Sequence, residues 1–301
     1  MMKFVLAILA AVASTWISLP AIAQQPKELP PAIVEIVKSL KPQRGKIAIP
    51  AAKASLDLGQ NYDFYSAEDT RKILVSIWGN PPQSAEHALG MVMPAGASPV
   101  SDAWGAVVTF EETGYVADDD AADVDYAEML TQMRNAEGEA NAERTQQGYP
   151  TIHIAGWAEQ PRYDKATHSV VWARDLQFSG DSVHTLNYDV RTLGRTGVLS
   201  LNLVSNMPKL NEVRGAARAF AAHAAFDPGA RYEDFDASVD RKAEYGIGGL
   251  VAAGTGLAVA KKLGFFALLA KFIKPIAIGV LVLFAAMRKR IAGLFGRSED
   301  V

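Results

Sequence analysis

An α+β domain built on an antiparallel β-meander at about 150–206, with helices packed against it and a C-terminal transmembrane helix behind it, is the fold this sequence predicts. Three observations predict it. Segments 151–158, 167–178, 183–192 and 198–206 are strand-forming stretches in succession, separated by Gly, Pro and Asp, with no helical period between them. The segments on either side carry apolar residues at helical spacing. From 263 to 287 the chain is apolar apart from Lys271 and Lys274, long enough at roughly 1.5 Å per residue to cross a hydrocarbon core of about 30 Å.

The chain opens with the features of a secretory signal peptide over 1–23. Lys3 precedes an apolar run from Phe4 to Leu19, and Ala21-Ile22-Ala23 forms a small-residue cleavage site. After a proline-bearing lead, 31–40 reads as a short helix whose stripe is Ile33, Val34, Ile36, Val37 and Leu40, ended by Pro42. Residues 47–49 and 54–58 read as short strands. Ser66 caps a helix with Ile73, Leu74 and Ile77 on its buried side, and Trp78-Gly79-Asn80-Pro81-Pro82 stops it. Residues 105–111 form a strand rich in strand-forming types. A long polar helix over 126–147 follows, seamed by Met129, Leu130 and Met133 and closed by Gly148.

In the meander, a strand at 184–192 puts Asn187, Asp189 and Arg191 on one face. The turn Gly194-Arg195-Thr196-Gly197 has glycine at both ends, as a hairpin needing positive φ requires, and closing it on Leu193 and Val198 sets Arg191 opposite Ser200 and Asp189 opposite Asn202. Asn187, Asp189, Arg191, Arg195, Ser200 and Asn202 then make up a polar surface. It is either a self-satisfying network dressing a solvated sheet face or a preformed patch for a ligand or partner. On the neighbouring strand, Val170, Trp172, Leu176 and Phe178 share a face on which Arg174 is the exception. A helix from Pro208 to about Ala225 and an acidic, aromatic approach through Tyr245 complete the domain.

Charge divides the chain. Residues 24–245, the exported domain, hold 21 Lys+Arg against 31 Asp+Glu, net −10; residues 246–301 hold 8 against 2, net +6. An acidic domain on a basic anchor excludes nucleic acid as a partner class and names the membrane instead. Residues 246–262 form a membrane-proximal helix in which Gly248, Ala252, Gly256 and Ala260 recur at every fourth position, a ridge for self-association or for a partner's helix. Arg288-Lys289-Arg290 opens a short cytoplasmic tail at 288–301 and places the domain outside. Lys261 and Lys262 permit a hairpin of two short limbs instead; about 15 and 13 residues fall short of the usual ~20, so one span is expected.

Chemistry finds little foothold. There is no cysteine, hence no thiol nucleophile and no disulfide framework, and there is no Gly-x-Ser-x-Gly elbow. The five histidines, His87, His153, His168, His184 and His223, never fall three or four apart; His153, His168 and His184 lie on successive strands and meet only if register allows. Asp118, Asp120 and Asp123 are weak candidates for calcium, since they lack the glycine and terminal glutamate of an EF-hand loop. The expected role of the run Asp118–Asp125 is to cap and charge the N-terminus of the next helix. No cofactor is expected.

Trp78-Gly79-Asn80-Pro81-Pro82, GYVADDDAADVDY at 114–126, GWAEQPRYD at 156–164, Val171-Trp172-Ala173-Arg174 and LNYDVRTLGRTGVLSLN at 186–202 together resemble the bacterial membrane-anchored proteins grouped as domain of unknown function 2167. The resemblance runs from about Ile47 to the anchor. It implies an exported domain on the inner membrane of bacteria with a periplasm, and it implies no reaction. The function expected is a non-catalytic binding or assembly module of the cell envelope facing the periplasm. Its rivals are an envelope hydrolase or metal-dependent enzyme working through Asp189 and Arg191, and an accessory subunit of a transporter.

Overall fold

The computed structural model of the protein describes residues 29–254. Its elements run α1 (Pro31–Ser39), β1 (Lys46–Ile49), β2 (Ala54–Asp57), β3 (Tyr62–Ser66), α2 (Ala67–Arg71), β4 (Gly90–Pro94), β5 (Gly105–Glu111), α3 (Tyr126–Gln146), β6 (Ile152–Asp164), β7 (Ser169–Phe178), β8 (Thr185–Leu193), β9 (Val198–Asn206), α4 (Leu210–His223), β10 (Ala224–Phe226) and α5 (Ile247–Gly254). A seven-stranded sheet has the order β3-β4-β5-β9-β8-β7-β6, and a small sheet has the order β1-β2-β10; all their pairings are antiparallel. The α+β class and the meander β6 to β9 stand as the sequence predicts.

Local chemistry sets the element ends. Ser66 accepts the Asp69 N–H at 3.2 Å to start α2, which passes into a π-helical turn over Lys72–Ile77 before Trp78. Asp125 accepts from Ala127 and Glu128 at 3.0 and 2.9 Å to start α3, and Gly148 ends it with φ +78°. β3, β4 and β10 are additions to the sequence reading. β10 has three residues, and β4 reads GMVMP, a buried run without alternation that periodicity does not separate from a loop.

The large sheet is covered on both faces. On one, Val213, Ala216, Ala217 and Phe220 of α4 pack on Tyr188, Val190, Leu201 and Leu203, where the alanines allow close approach. On the other, Met129 and Met133 of α3 and Ile247, Leu250 and Val251 of α5 join Val170, Trp172, Leu193 and Val198 in a second core. Each such large apolar side chain contributes about 1.5–3 kcal/mol on burial.

Among the described residues no helix is long and apolar enough to cross a membrane. The signal peptide at 1–23, the span at 263–287 with its hairpin alternative, the tail at 288–301, and Gly256 and Ala260 of the ridge lie outside the described residues.

Candidate functional site

The β8–β9 hairpin takes the register that its pattern implies, Leu193 with Val198, Arg191 with Ser200 and Asp189 with Asn202. Its glycines act differently from the expectation. Neither Gly194 nor Gly197 has a positive φ; each is a close-approach position. A Cβ on Gly197 would lie 2.2 Å from the Glu111 carbonyl oxygen, and one on Gly194 2.7 Å from the Phe226 ring. Strand β5 and the β10 segment crowd the turn, so close approach of a carbonyl at Gly197 and of an aromatic ring at Gly194, rather than handedness, favours glycine there.

The polar face is not solvated. Asp189 is 0%, Arg191 8% and Arg174 9% exposed, because α3 and α5 roof that side of the sheet. Arg191 organises the centre: its Nη1 donates to Glu111 Oε1 at 2.5 Å and to Ser200 Oγ at 2.8 Å, and its Nη2 to Asp189 Oδ1 at 3.3 Å. The guanidinium carbon stands 5.6 Å from the centre of the Trp172 ring, a cation–π arrangement. Arg174 donates to Asn187 and faces Asp189 Oδ2 at 3.6 Å, and Asn187 donates to Asn202 at 2.9 Å. Thus Asn187, Asp189, Arg191, Ser200 and Asn202 are brought together as expected, joined by Arg174 and Glu111. Arg174 carried a signal, as the charged exception on its face; Glu111 did not, because it is laid beside the hairpin only by the β5–β9 pairing of Thr109 with Ser200.

Arg195 is not part of this face. It makes a bidentate pair with Asp240 at 2.8 and 3.1 Å and donates to the Gly229 carbonyl, fixing the hairpin turn to the segment before α5.

Burial pushes the Arg174 guanidinium below its usual range, against the pull of Asp189 and with the repulsion of Arg191. Arg191 suffers the same burial, yet Asp189 and Glu111 hold it above that range. Both stay cationic, so two buried guanidinium groups share the buried Asp189, with Glu111 meeting Arg191 from the half-exposed edge. Beside Arg174, α3 and the sheet leave a cleft of about 380 Å³, walled by Asn141, Arg144, Ile154 and Leu176.

α5 closes the face. Asp120 accepts the N–H groups of Ile247 at 2.7 Å and Gly248 at 3.0 Å, so a distant loop caps the helix. At its other end, a Cβ on Gly254 would stand 2.7 Å from Trp172 Cζ2 and 3.1 Å from Arg191 Nη2. Gly248 and Ala252, the described half of the ridge, are used inside the domain. Ala252 is buried, and Gly248 leaves only 3.0 Å between a Cβ and Val124.

Two aspartates of the calcium candidate serve separate ends: Asp120 caps α5 and Asp118 accepts from Tyr163 at 2.8 Å. Asp125, the last of the acidic run, caps α3 as expected. Among the described residues no group of three or more His, Asp or Glu gathers to hold a metal. The strand histidines take different partners: His153 meets Glu137 at 2.9 Å, His184 meets Asp175 at 2.6 Å, and His168 meets Tyr163 at 3.0 Å. They do not converge on Asp189 and Arg191.

The family model described as "Protein of unknown function (DUF2167)" matches residues 41–286, a range that includes both sheets. No curated protein matches. Among solved structures, the chain is similar to the solution structure of cyanobacterial PsbP (CyanoP) from Synechocystis sp. PCC 6803, at 9% identity and a TM-score of 0.35, over 63% of this chain and 93% of that one.

Proposed function

The chain belongs to the DUF2167 family, and on that premise we propose that it is an exported binding or assembly module of the cell envelope, held at the inner membrane with its α+β domain in the periplasm. The observation that carries the reading is the rooting of α5. Its first turn is capped by Asp120, its apolar side fills the second core, and Gly254 is seated on Trp172 and Arg191. The described chain therefore reaches Gly254, shortly before the apolar segment in sequence, on an element fastened to the sheet. A domain whose last described helix is packed into its own core suits presentation of a surface to a partner. The polar strand face acts as the clamp for that helix, and the cleft beside Arg174 offers a guanidinium next to an apolar wall.

Two measurements test this. The chain has no cysteine, so Val239→Cys, at a position 72% exposed, gives a single thiol. A membrane-impermeant maleimide applied to intact cells with a permeabilised outer membrane labels it if the domain is periplasmic. Labelling only after lysis overturns the placement. The tagged full chain, purified from native membranes in mild detergent, is expected to run with a stoichiometric partner or as a self-assembled species. A lone monomer removes the assembly reading, and a polytopic partner specifies the transporter-accessory form of it.

A further inference from the structure

We infer that Asp118, Tyr163 and His168 form a binding site for a ferric ion, with a carboxylate, a phenolate and an imidazole as its protein ligands. The three side chains come from separate elements: Asp118 from the loop after β5, Tyr163 from the end of β6, and His168 from the β6–β7 turn. The Tyr163 hydroxyl already meets a donor atom of each of the other two. Tyr163 Oη lies 2.8 Å from Asp118 Oδ2 and 3.0 Å from His168 Nδ1. Adjacent ligands of a six-coordinate ion with bonds of roughly 2.1 Å stand about 3.0 Å apart, so Tyr163 Oη stands at neighbouring-ligand spacing from both Asp118 Oδ2 and His168 Nδ1.

The donor types select the ion. Carboxylate and phenolate are hard, anionic oxygens, imidazole suits iron, and tyrosine is an iron ligand in its own right. Two negative charges against a trivalent cation leave the remaining positions to water or a small anion. Tyr163 Oη carries its proton in the hydrogen bond to Asp118; on binding, that proton leaves to solvent as the metal–oxygen bond forms, with no change in oxidation state.

The ligands are also held in place. His168 sits at φ +46°, one of two left-handed non-glycine residues among the described residues, and its carbonyl accepts the Leu193 N–H at 2.8 Å. Its ring stacks on Tyr232 at 4.3 Å, and the Tyr232 hydroxyl donates to the Val116 carbonyl at 3.0 Å, two residues before Asp118. Tyr232 in turn stacks on Tyr115 at 4.5 Å. Outer contacts of this kind fix ligand orientation. All three ligands remain partly exposed, so an ion can enter.

The test uses the metal-stripped full chain in mild detergent, titrated with ferric nitrilotriacetate. The expected result is one equivalent bound with a visible phenolate-to-iron charge-transfer band. Tyr163→Phe keeps the ring and removes the ligand atom; it is expected to abolish the band while circular dichroism stays unchanged. Asp118→Asn and His168→Asn are expected to weaken binding at least about tenfold, asparagine being tolerant of the left-handed backbone at 168. Magnesium and calcium, added in place of iron, are expected not to bind stoichiometrically. No band at one equivalent overturns the inference, and so does a band that survives in Tyr163→Phe. Should that variant fail to fold, unchanged affinity in Asp118→Asn overturns it equally.

Discussion

Asp120 Oδ1 and the backbone N–H of Ile247, 127 positions apart in the chain, meet at 2.7 Å. The same carboxylate takes the Gly248 N–H on its other oxygen, so two of the orphan donors of α5 end on one side chain. Replacing a capping carboxylate with alanine typically costs about 1 kcal/mol, within roughly 0.5–2. Asp120→Ala is therefore expected to lower unfolding free energy by that amount and to speed hydrogen exchange at 247–250 before the sheet is affected. Equal exchange in parent and variant would separate the cap from the seating of α5.

Asp189 stands between Arg174 at 3.6 Å and Arg191 at 3.3 Å with no exposed surface. Removing one member of a buried ion network leaves uncompensated charge and costs about 3–5 kcal/mol. Asp189→Ala is expected to destabilise by that order in chemical denaturation. Glu111→Gln is expected to lose under about 1 kcal/mol, since the Glu111 side chain is 43% exposed and its ion pair is partly screened. A loss for Asp189→Ala no larger than for Glu111→Gln would show that water reaches the network.

Acid tests a different pair. Asp63 accepts Arg44 Nε at 2.5 Å and the Gly96 N–H at 2.7 Å. Burial by itself would raise this carboxyl, yet the Arg44 hydrogen bond, the Gly96 amide and the Arg44 charge together hold it below its ordinary value. A carboxyl depressed in the folded state adds stability that is fully present above its unfolded pKa of about 3.9 and disappears as pH falls through the folded value. The stability gap between the parent and Asp63→Asn is expected to be widest at neutral pH and to close below about pH 4. A gap that stays constant with pH would assign the effect to packing.

The sequence was most informative where pattern and fold have the same period. The strand-forming stretches and their punctuation expose β6 to β9, the 186–202 hairpin exposes its own register, and the Ser66 and Asp125 caps are visible as residue types. It was least informative where long-range packing decides. Nothing near 186–202 announces that α3 and α5 lie over that face, so a polar stripe that looks like solvated surface becomes a buried ion network. Gly194 and Gly197 carry the same lesson, because their neighbours Phe226 and Glu111 are distant in sequence. Asp118 and Tyr163 are joined only by tertiary structure across 45 positions, and Asp118 was noticed for its acidic neighbours rather than for its phenol.

The edge of the large sheet offers the last test. β6 pairs only with β7, so its outer N–H and C=O groups face α3. Asn141 donates to the Ile152 carbonyl and accepts the Ile152 N–H, both at 2.8 Å, as a neighbouring strand would. Glu137 accepts the Ile154 N–H at 2.8 Å, and Arg134 donates to the Ile154 carbonyl at 2.9 Å. Residues 134, 137 and 141 recur at helical spacing, so one stripe of α3 stands in for a strand. This explains how a helix with little apolar character stays docked. Unpaired edges invite pairing with other chains. Asn141→Ala leaves two groups of Ile152 without partners, a loss of about 1–3 kcal/mol if water does not replace them. It is expected to speed hydrogen exchange at Ile152 and to raise self-association with concentration, read by light scattering against the parent under the same detergent conditions. Faster exchange without association would mean that neighbouring side chains still guard the edge, while unchanged exchange would show that Asn141 is not what protects it.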